Sequence, residues 1–234
     1  MLTVDIEKFA IRNGDYILDL GCGQGRHVNA LPMFGDITAV GVDLDFQDVR
    51  IAKERHSYHE QGKAYHIVGD GLVLPFANHT FDKVICSEVL EHIPNYNGFL
   101  KEIDRVLKPG GQLCVSVPRF WPEKICWWLS DEYHNVPGGH IRIFKDNDLR
   151  DSISKLGFQY IGRHWAHALH APFWWLKCLW WERQDSHFIL RAYHKILVWD
   201  LMKKPFLTRF VEKCLNPVIG KSVVLYFKKN EHSP

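Results

Sequence analysis

The stretch YILDLGCGQGR, residues 16–26, places a short apolar run directly before a glycine-rich turn. The run is typical of a buried strand. Gly21, Gly23 and Gly25 let the backbone after it approach a ligand closely, because glycine has no Cβ atom. Similar apolar runs at 37–42, 64–68, 81–87 and 112–117 alternate with helical patterns at 46–56 and 96–107. This alternation predicts an α/β fold with a doubly wound, mostly parallel sheet.

The composition is that of a globular protein. The chain has 234 residues, of which 46% are hydrophobic and 24% charged, and this balance excludes a disordered or collagenous chain. Its six cysteines are widely spaced without a C-x-x-C pair, so neither a zinc nor a disulfide framework is predicted. The first ten residues lack an apolar signal-peptide core, and no run of about 18 apolar residues predicts a membrane span. We therefore expect a cytoplasmic location.

Polar side chains follow three further predicted strands. Asp43 ends the second strand, Asp70 follows the third and Ser87 ends the fourth. Ligands of such sheets bind beyond the carboxyl ends of the strands. A carboxylate at Asp43 can accept both hydroxyl groups of a ribose, although an Asp there can also cap the next helix.

A dinucleotide-binding dehydrogenase is the obvious competitor. Its fingerprint is G-x-G-x-x-G, whereas this chain has G-x-G-x-G followed by Arg26. The fit to a pyrophosphate is poorer, so a ligand with a ribose but no phosphates is favoured.

Four ordered segments carry a family resemblance. They are ILDLGCGQGRH (17–27), VGVDLD (40–45), GDGLVLPFANHTFDKVICSEVLEHI (69–93) and LKPGGQLCVSVP (107–118). Together they resemble the sequential motifs of class I S-adenosylmethionine-dependent methyltransferases, over about half of the chain. The resemblance implies a Rossmann-like, seven-stranded sheet whose last strand is antiparallel, and S-adenosylmethionine as cofactor.

The resemblance also assigns cofactor-binding residues. It implies that Asp19 and the turn of Gly21, Gly23 and Gly25 hold the methionine part of the cofactor. Asp43 would bind the ribose, with Leu44 beside the adenine, and Asp70, Gly71 and Leu72 would surround the base. Ser87 would lie under the sulfonium. Two alternatives stay open. Asp19 can instead satisfy the backbone of the glycine turn, which is the interpretation that we favour. Asp70 can serve only to form a turn.

Methyl transfer needs a base only if the acceptor is an alcohol or a phenol. His92, His140 and Glu88 are candidates, and we select His92 and His140 as catalytic. His92 can equally cap a helix, and His140, after the hinge-like pair Gly138-Gly139, can be an ordinary loop histidine. His164, His167 and His170 are spaced three apart, but no Cys or carboxylate accompanies them, so no metal is predicted.

The second half of the chain departs from the regular alternation. Residues 119–139 are predicted to be rich in loops, 146–156 a helix, 158–168 a strand and 222–228 the last strand. About 50 residues separate these last two strands, and a connection this long has structure of its own or a function. We predict a core over 1–170, a helical cap over 171–221, and the last strand with a tail over 222–234.

The predicted cap is aromatic and basic. Six of the nine tryptophans lie between Trp165 and Trp199, and residues 171–234 carry 11 Lys and Arg against 5 Asp and Glu. Trp beside Lys and Arg is typical of an interfacial helix. Packing on the sheet and dimerisation are the alternatives. Nucleic acid is disfavoured, because no positive stripe pairs with stacking loops.

These features predict a methyltransferase that acts on oxygen or carbon of a bulky apolar acceptor: lipid-linked, isoprenoid or aromatic. It would be a monomer or homodimer, with peripheral contact to the inner face of the membrane through 171–221. One alternative is a methyltransferase for a soluble metabolite or sugar. Another is a non-catalytic scaffold, which the intact Gly21, Gly23, Gly25 and Asp43 disfavour.

Overall fold

A seven-stranded sheet forms the centre of the protein, in a computed structural model that describes residues 2–56 and 62–231. The strand order is β3-β2-β1-β4-β5-β7-β6. The strands are β1 (Tyr16–Leu20), β2 (Thr38–Asp43), β3 (Lys63–Val68), β4 (Phe81–Ser87), β5 (Leu107–Pro118), β6 (Phe158–Ala166) and β7 (Ser222–Lys229).

Pairing is parallel from β3 through β5, and β7 runs antiparallel between β5 and β6. The first strand pairs with both β2 and β4, so the chain reverses its direction of progress across the sheet beside β1. This is the switch point at which ligands of open α/β sheets bind. The predicted fold class is confirmed.

Eight α-helices accompany the sheet in the described part of the chain. They are α1 (Phe46–Glu54), α2 (Tyr96–Val106), α3 (Phe120–Leu129), α4 (Glu132–Asn135), α5 (Asp146–Ser154), α6 (His170–Leu179), α7 (Phe188–Lys203) and α8 (Phe206–Ile219). Successive strand residues point to opposite faces. Leu18 and Val84 therefore join one buried cluster while Ile17 and Ile85 join another. Apolar cores on both faces explain why these strands are continuous apolar runs.

The loop-rich segment predicted over residues 119–139 is wrong, because α3 and α4 occupy most of it. Pro122 is the third residue of α3, where its missing N–H removes no intrahelical hydrogen bond. Cys126 and Tyr133 are buried with Cys178 of α6, and half-buried tryptophans surround them. Packing between distant segments stabilises these helices, and the local sequence pattern does not reveal it.

Helices α6, α7 and α8 lie between β6 and β7, within the segment predicted as a cap. The division of the chain into domains stays a prediction, and residues 232–234 of its tail lie outside the described residues. In the two described ranges, no helix combines the length and apolar character that a membrane crossing requires.

Candidate active site

The glycine turn after β1 depends on backbone conformations that favour glycine. Gly21 and Gly25 have φ angles of +75° and +85°. A Cβ atom on Gly21 would lie 2.3 Å from Cγ2 of Val89, so a side chain there would also clash. The N–H of Gly21 donates to the carbonyl of Val42 over 2.8 Å, which fastens the turn to the end of β2.

Asp43 lies opposite this turn. Its Oδ2 accepts the N–H of Gly23 over 2.8 Å, and its Oδ1 accepts the N–H of Asp45 over 3.0 Å. The alternative that Asp43 caps α1 is wrong, since the cap is Asp45, which accepts the N–H groups of Gln47 and Asp48. Asp43 is therefore available beside the turn, and its contact with a ribose stays a prediction.

A cavity of about 520 Å³ opens at this point, which is within the usual size of a small-molecule site. Seven of the predicted cofactor residues line it: Gly21, Gly23, Asp43, Leu44, Asp70, Gly71 and Leu72. Asp70 Oδ1 also accepts the N–H of Leu72 over 2.8 Å, so it forms a turn as well as facing the cavity. The set of residues fits a nucleoside cofactor: backbone close to the ligand, a carboxylate for hydroxyl groups, and apolar surfaces for a base.

The remaining predicted cofactor residues, Asp19, Gly25 and Ser87, are not among the residues that line this cavity. Asp19 is buried and accepts the N–H of Val28 over 2.9 Å, so it braces the segment after the turn. Burial raises its pKa to about 7. This placement agrees with the structural interpretation of Asp19, and its direct contact with a cofactor stays a prediction.

Ser87 and Gly25 do not line the cavity but contact the segments around it. The Ser87 hydroxyl lies 2.8 Å from the hydroxyl of Ser116, which in turn donates to Glu88 over 2.9 Å. A Cβ atom on Gly25 would lie 2.9 Å from Cβ of Ala52, so this glycine lets the turn pack against α1.

A second cavity of about 440 Å³ adjoins the first, and the two share Glu88 and His92. Its walls are rich in ionisable side chains from distant parts of the chain. Besides the shared pair it is lined by Thr3, Arg26, Glu91, His140, His167, His170, Trp174, Leu201, Lys221 and Ser222. A polar compartment therefore lies next to the candidate cofactor cavity, with Glu88 and His92 in the walls of both.

The two histidines predicted as catalytic meet in this second cavity. The ring centroids of His92 and His140 are 4.9 Å apart. Nδ1 of His92 lies 3.2 Å from the carbonyl of Gly139, and Nδ1 of His140 lies 2.5 Å from a carboxylate oxygen of Glu123. Burial, and then the charge of His140, lower the pKa of His92, which is therefore neutral near pH 7. The alternative that His92 caps a helix is wrong, because Asn95 caps α2.

Sequence reasoning missed three acidic residues of this region. Glu91 is fully buried in the wall of the second cavity, and Glu123 is buried behind His140. Glu212 of α8 lies beside His167 and His170, although no carboxylate accompanies these histidines in the sequence. The spacing E-x-x-E-H places Glu91 next to His92, but nothing in the sequence indicates its burial. Glu123 and Glu212 come from segments that only the tertiary fold brings close.

A sheet of this order, with a glycine turn and an acid at the ends of its first two strands, is typical of Rossmann-like folds that bind a nucleoside cofactor. Comparison with known proteins assigns the family. Residues 18–115 match the family model of the methyltransferase domain. Residues 18–115 are therefore similar to the class I S-adenosylmethionine-dependent methyltransferases, as the motifs predicted, and S-adenosylmethionine is the cofactor of that family.

Curated relatives include the sterol 24-C-methyltransferases of two fungi. The chain is 34% identical to that of Eremothecium gossypii over 152 residues, which are 64% of this chain and 38% of the relative. It is 32% identical to that of Saccharomyces cerevisiae over 152 residues, which are 64% of this chain and 37% of the relative. The chain thus matches less than two fifths of the length of these relatives.

Solved structures share the fold over the whole chain. A SAM-dependent methyltransferase of Methanosarcina mazei superposes with a TM-score of 0.64 and 16% identity, covering 98% of this chain and 99% of the other. The YcgJ protein of Bacillus subtilis superposes with a TM-score of 0.61 and 18% identity, covering 97% and 96%. At these identities the likeness establishes the fold.

Proposed function

We propose that this protein transfers a methyl group from S-adenosylmethionine to an oxygen atom of a lipid-like acceptor that it meets at a membrane surface. The observation that carries the proposal is the junction of the two cavities at Glu88 and His92. One cavity suits the cofactor, and the other gives an acceptor access to the reacting methyl group. An acceptor in one cavity and a cofactor in the other would meet at this junction, as an in-line displacement requires.

On the cofactor side, Asp43 binds the ribose, Gly21 and Gly23 bring backbone close to the methionine part, and Leu44 and Leu72 flank the base. All five residues line the first cavity. When bound, the cofactor supplies an electrophilic methyl group on a positively charged sulfur, which leaves as a neutral thioether. The protein therefore has to align the acceptor and exclude water.

On the acceptor side, His92 and His140 bind and orient the acceptor oxygen, and Glu88 takes its proton. Both histidines have Nδ1 engaged, by Gly139 and Glu123, which directs Nε2 of each ring to other partners. Glu88 is the carboxylate common to the linings of both cavities, so it lies where the oxygen must meet the methyl group.

The acceptor class follows from the relatives and from the walls of the second cavity. The relatives are named as sterol 24-C-methyltransferases, which supports a lipid-like acceptor. Their name places the methyl group on carbon, whereas our choice of oxygen rests on the histidines and carboxylates of the second cavity. The cavity itself offers histidines, carboxylates and Lys221, with Trp174 and Leu201 as apolar walls. We infer an acceptor with an oxygen-bearing head and an apolar body, of which the head enters the cavity.

The membrane contact rests on the division of the aromatic segment into two parts. Trp174, Trp175 and Trp181 pack around the buried pair Cys126 and Cys178. In contrast, α7 and α8 leave large apolar side chains exposed, including Phe188, Trp199, Met202, Phe206, Leu207 and Phe210. We call these six residues the apolar face.

Basic residues accompany the apolar face, at Lys195, Lys203, Lys204 and Lys213. Apolar side chains that enter the acyl boundary, next to lysines near anionic headgroups, are the pattern of an interfacial helix. Leu201, on the same helix as Trp199 and Met202, lines the second cavity. Helix α7 therefore contributes both to the apolar face and to the wall of the second cavity, and we infer that a lipid-like acceptor enters beside this helix.

Flotation with vesicles tests the membrane contact. We expect the protein to float with vesicles that contain anionic phosphatidylglycerol and less with pure phosphatidylcholine. Phe206→Ser combined with Phe210→Ser should abolish flotation, since Phe206 is 85% exposed and Phe210 is 56% exposed. Tyr65→Ser is the matched control, because Tyr65 is an exposed aromatic residue on β3, at the edge of the sheet opposite β6. Equal flotation of the wild type and the double variant contradicts the proposal.

Transfer of radiolabel from S-[methyl-³H]adenosylmethionine to a cell extract tests the acceptor class. We expect the label in the organic phase after partition between chloroform and water. Label only in the aqueous phase would favour the alternative of a soluble acceptor. Cofactor binding without label in either phase would favour a non-catalytic scaffold.

A further inference from the structure

Three potential metal ligands converge in the wall of the second cavity. Glu91, His92 and His140 each contribute one potential ligand atom, and these three atoms lie within 4.8 Å of one another. Nε2 of His92 is 4.0 Å from Oε1 of Glu91. All three residues line the cavity, and His92 also lines the cofactor cavity.

Glu91 is the member of this group that most needs a partner. Its side chain is fully buried, and neither carboxylate oxygen has a hydrogen-bond partner within residues 2–56 and 62–231. Buried carboxylates are ordinarily hydrogen-bonded, paired or bound to metal. A cation at this point would satisfy the carboxylate that the protein leaves without a donor.

The two histidines are held as metal-binding histidines usually are. The carbonyl of Gly139 can only accept, so Nδ1 of His92 donates to it, and Nδ1 of His140 donates to the buried carboxylate of Glu123. A histidine that ligates a metal typically donates its other N–H to a carbonyl or a carboxylate in this way. The hydrogen bonds fix both tautomers and leave each Nε2 with a lone pair for a ligand.

We propose that Glu91, His92 and His140 form a binding site for a divalent transition-metal ion such as Zn²⁺ or Mn²⁺. Two imidazoles and one carboxylate suit such ions and leave coordination positions open. Metal–ligand bonds of about 2.0–2.2 Å place neighbouring ligand atoms about 3–4 Å apart, so side-chain movements of about 1 Å would close the set.

The role of this site rests on the proposed function. Glu91, His92 and His140 line the second cavity, where the head of the acceptor enters. An ion held by them would therefore bind the acceptor oxygen in place of the two imidazoles. An ion there would lower the pKa of a coordinated hydroxyl group, and the proton of that hydroxyl group would pass to Glu88. The oxygen lone pair then forms the new bond to the methyl carbon as the carbon–sulfur bond breaks, and that electron pair stays on sulfur.

A second group, His167, His170 and Glu212, meets the same distance limit and serves as the comparison. Its surroundings favour a cation less. Arg209 lies 3.2 Å from the other carboxylate oxygen of Glu212, and Nε2 of His167 is already 3.0 Å from the hydroxyl of Thr3. The positive charge of Arg209 would oppose a metal ion there.

Metal titration of the full chain, purified without a polyhistidine tag and treated with chelator, tests the site. We expect isothermal titration with Zn²⁺ to show one equivalent bound, and Co²⁺ to give a visible absorption band from nitrogen ligands. Glu91→Gln and His140→Gln should each abolish both signals. Glu123→Gln, which removes only the acceptor behind His140, should weaken binding about 10- to 100-fold.

His170→Gln is the matched control, because it removes a histidine of the same cavity outside the proposed site. It should keep full Zn²⁺ binding, and circular dichroism together with S-adenosylmethionine titration should show that every variant is folded. Absence of binding in the wild type overturns the site, as does loss of binding in His170→Gln with retention in His140→Gln. Metal binding without methyl transfer would instead count against the proposed function and leave the site intact.

Discussion

Replacement of Asp43 by alanine should weaken the binding of S-adenosylmethionine by about 30- to 150-fold. The carboxylate lines the cofactor cavity at the end of β2 and is the predicted ribose ligand. A hydrogen bond to a charged group contributes about 1.5–3 kcal/mol. The same side chain also orders the N–H groups of Gly23 and Asp45. We therefore expect a loss of about 2–3 kcal/mol, where 1.36 kcal/mol is a factor of ten.

Isothermal titration of wild type and variants with S-adenosylmethionine measures this loss. Asp45→Ala is the matched control in the same turn. Asp45 caps α1 and does not line the cavity, so its replacement should cost about 1 kcal/mol of stability and leave the affinity within about threefold of wild type. Affinity of Asp43→Ala within threefold of wild type would refute the ribose contact. An equal loss in both variants would show that the turn matters rather than the contact.

Three further substitutions test the surroundings of the site. Gly21→Ala places a Cβ atom 2.3 Å from Val89 at a φ of +75°, and should lower the free energy of urea unfolding by about 1–3 kcal/mol. Gly71→Ala places a Cβ atom 2.2 Å from the Phe99 ring, which lines the cofactor cavity. It should lower the affinity for S-adenosylmethionine, measured by titration, roughly tenfold, and an unchanged affinity would contradict this placement. Burial raises the pKa of Asp19 from 3.8 to about 7, so the native state holds this proton more tightly than the unfolded state and wild-type stability should fall as pH rises from about 4 to 7. The side chain of Asn cannot ionise, so Asp19→Asn should remove up to about 4 kcal/mol of that decline when the free energy of unfolding is measured by denaturation at each pH. If the free energies of wild type and variant depend on pH in the same way, the raised pKa is contradicted.

The cofactor half of the site could be predicted from the sequence because its residues lie at the ends of consecutive strands. Strand ends of a parallel sheet meet at one edge, so the order of strands along the chain already brings the glycine turn, Asp43 and Asp70 together. The four motifs that resemble the methyltransferases cover the same region, and the family match spans residues 18–115. Local rules of turn and strand indicated the glycine turn, Asp43 and Asp70, whereas Leu44, Gly71 and Leu72 were assigned through the family resemblance.

The acceptor half could not be predicted in the same way. Its residues come from the N-terminus, the turn after β1, the segment after β4, the loop after α4 and the segments around the helices before β7, and no local rule relates these segments. Helix α3 itself was missed because its stability comes from packing against α6. Because helix α3 was not predicted, the contact between Glu123 and His140 could not be predicted either.

The sequence by itself determined the sheet, the family of residues 18–115 and most of the cofactor-lining residues, because strand periodicity and glycine turns are local properties. Only the tertiary structure decided that His92 and His140 face each other and that Glu91 is buried without a donor beside them. It also decided that Trp174 and Trp175 of α6 are packed while Phe188 and Trp199 of α7 and Phe206 and Phe210 of α8 are exposed. Burial and charge proximity arise from contacts between segments distant in sequence, and these contacts control both the electrostatics of the acceptor cavity and the surface that meets a partner.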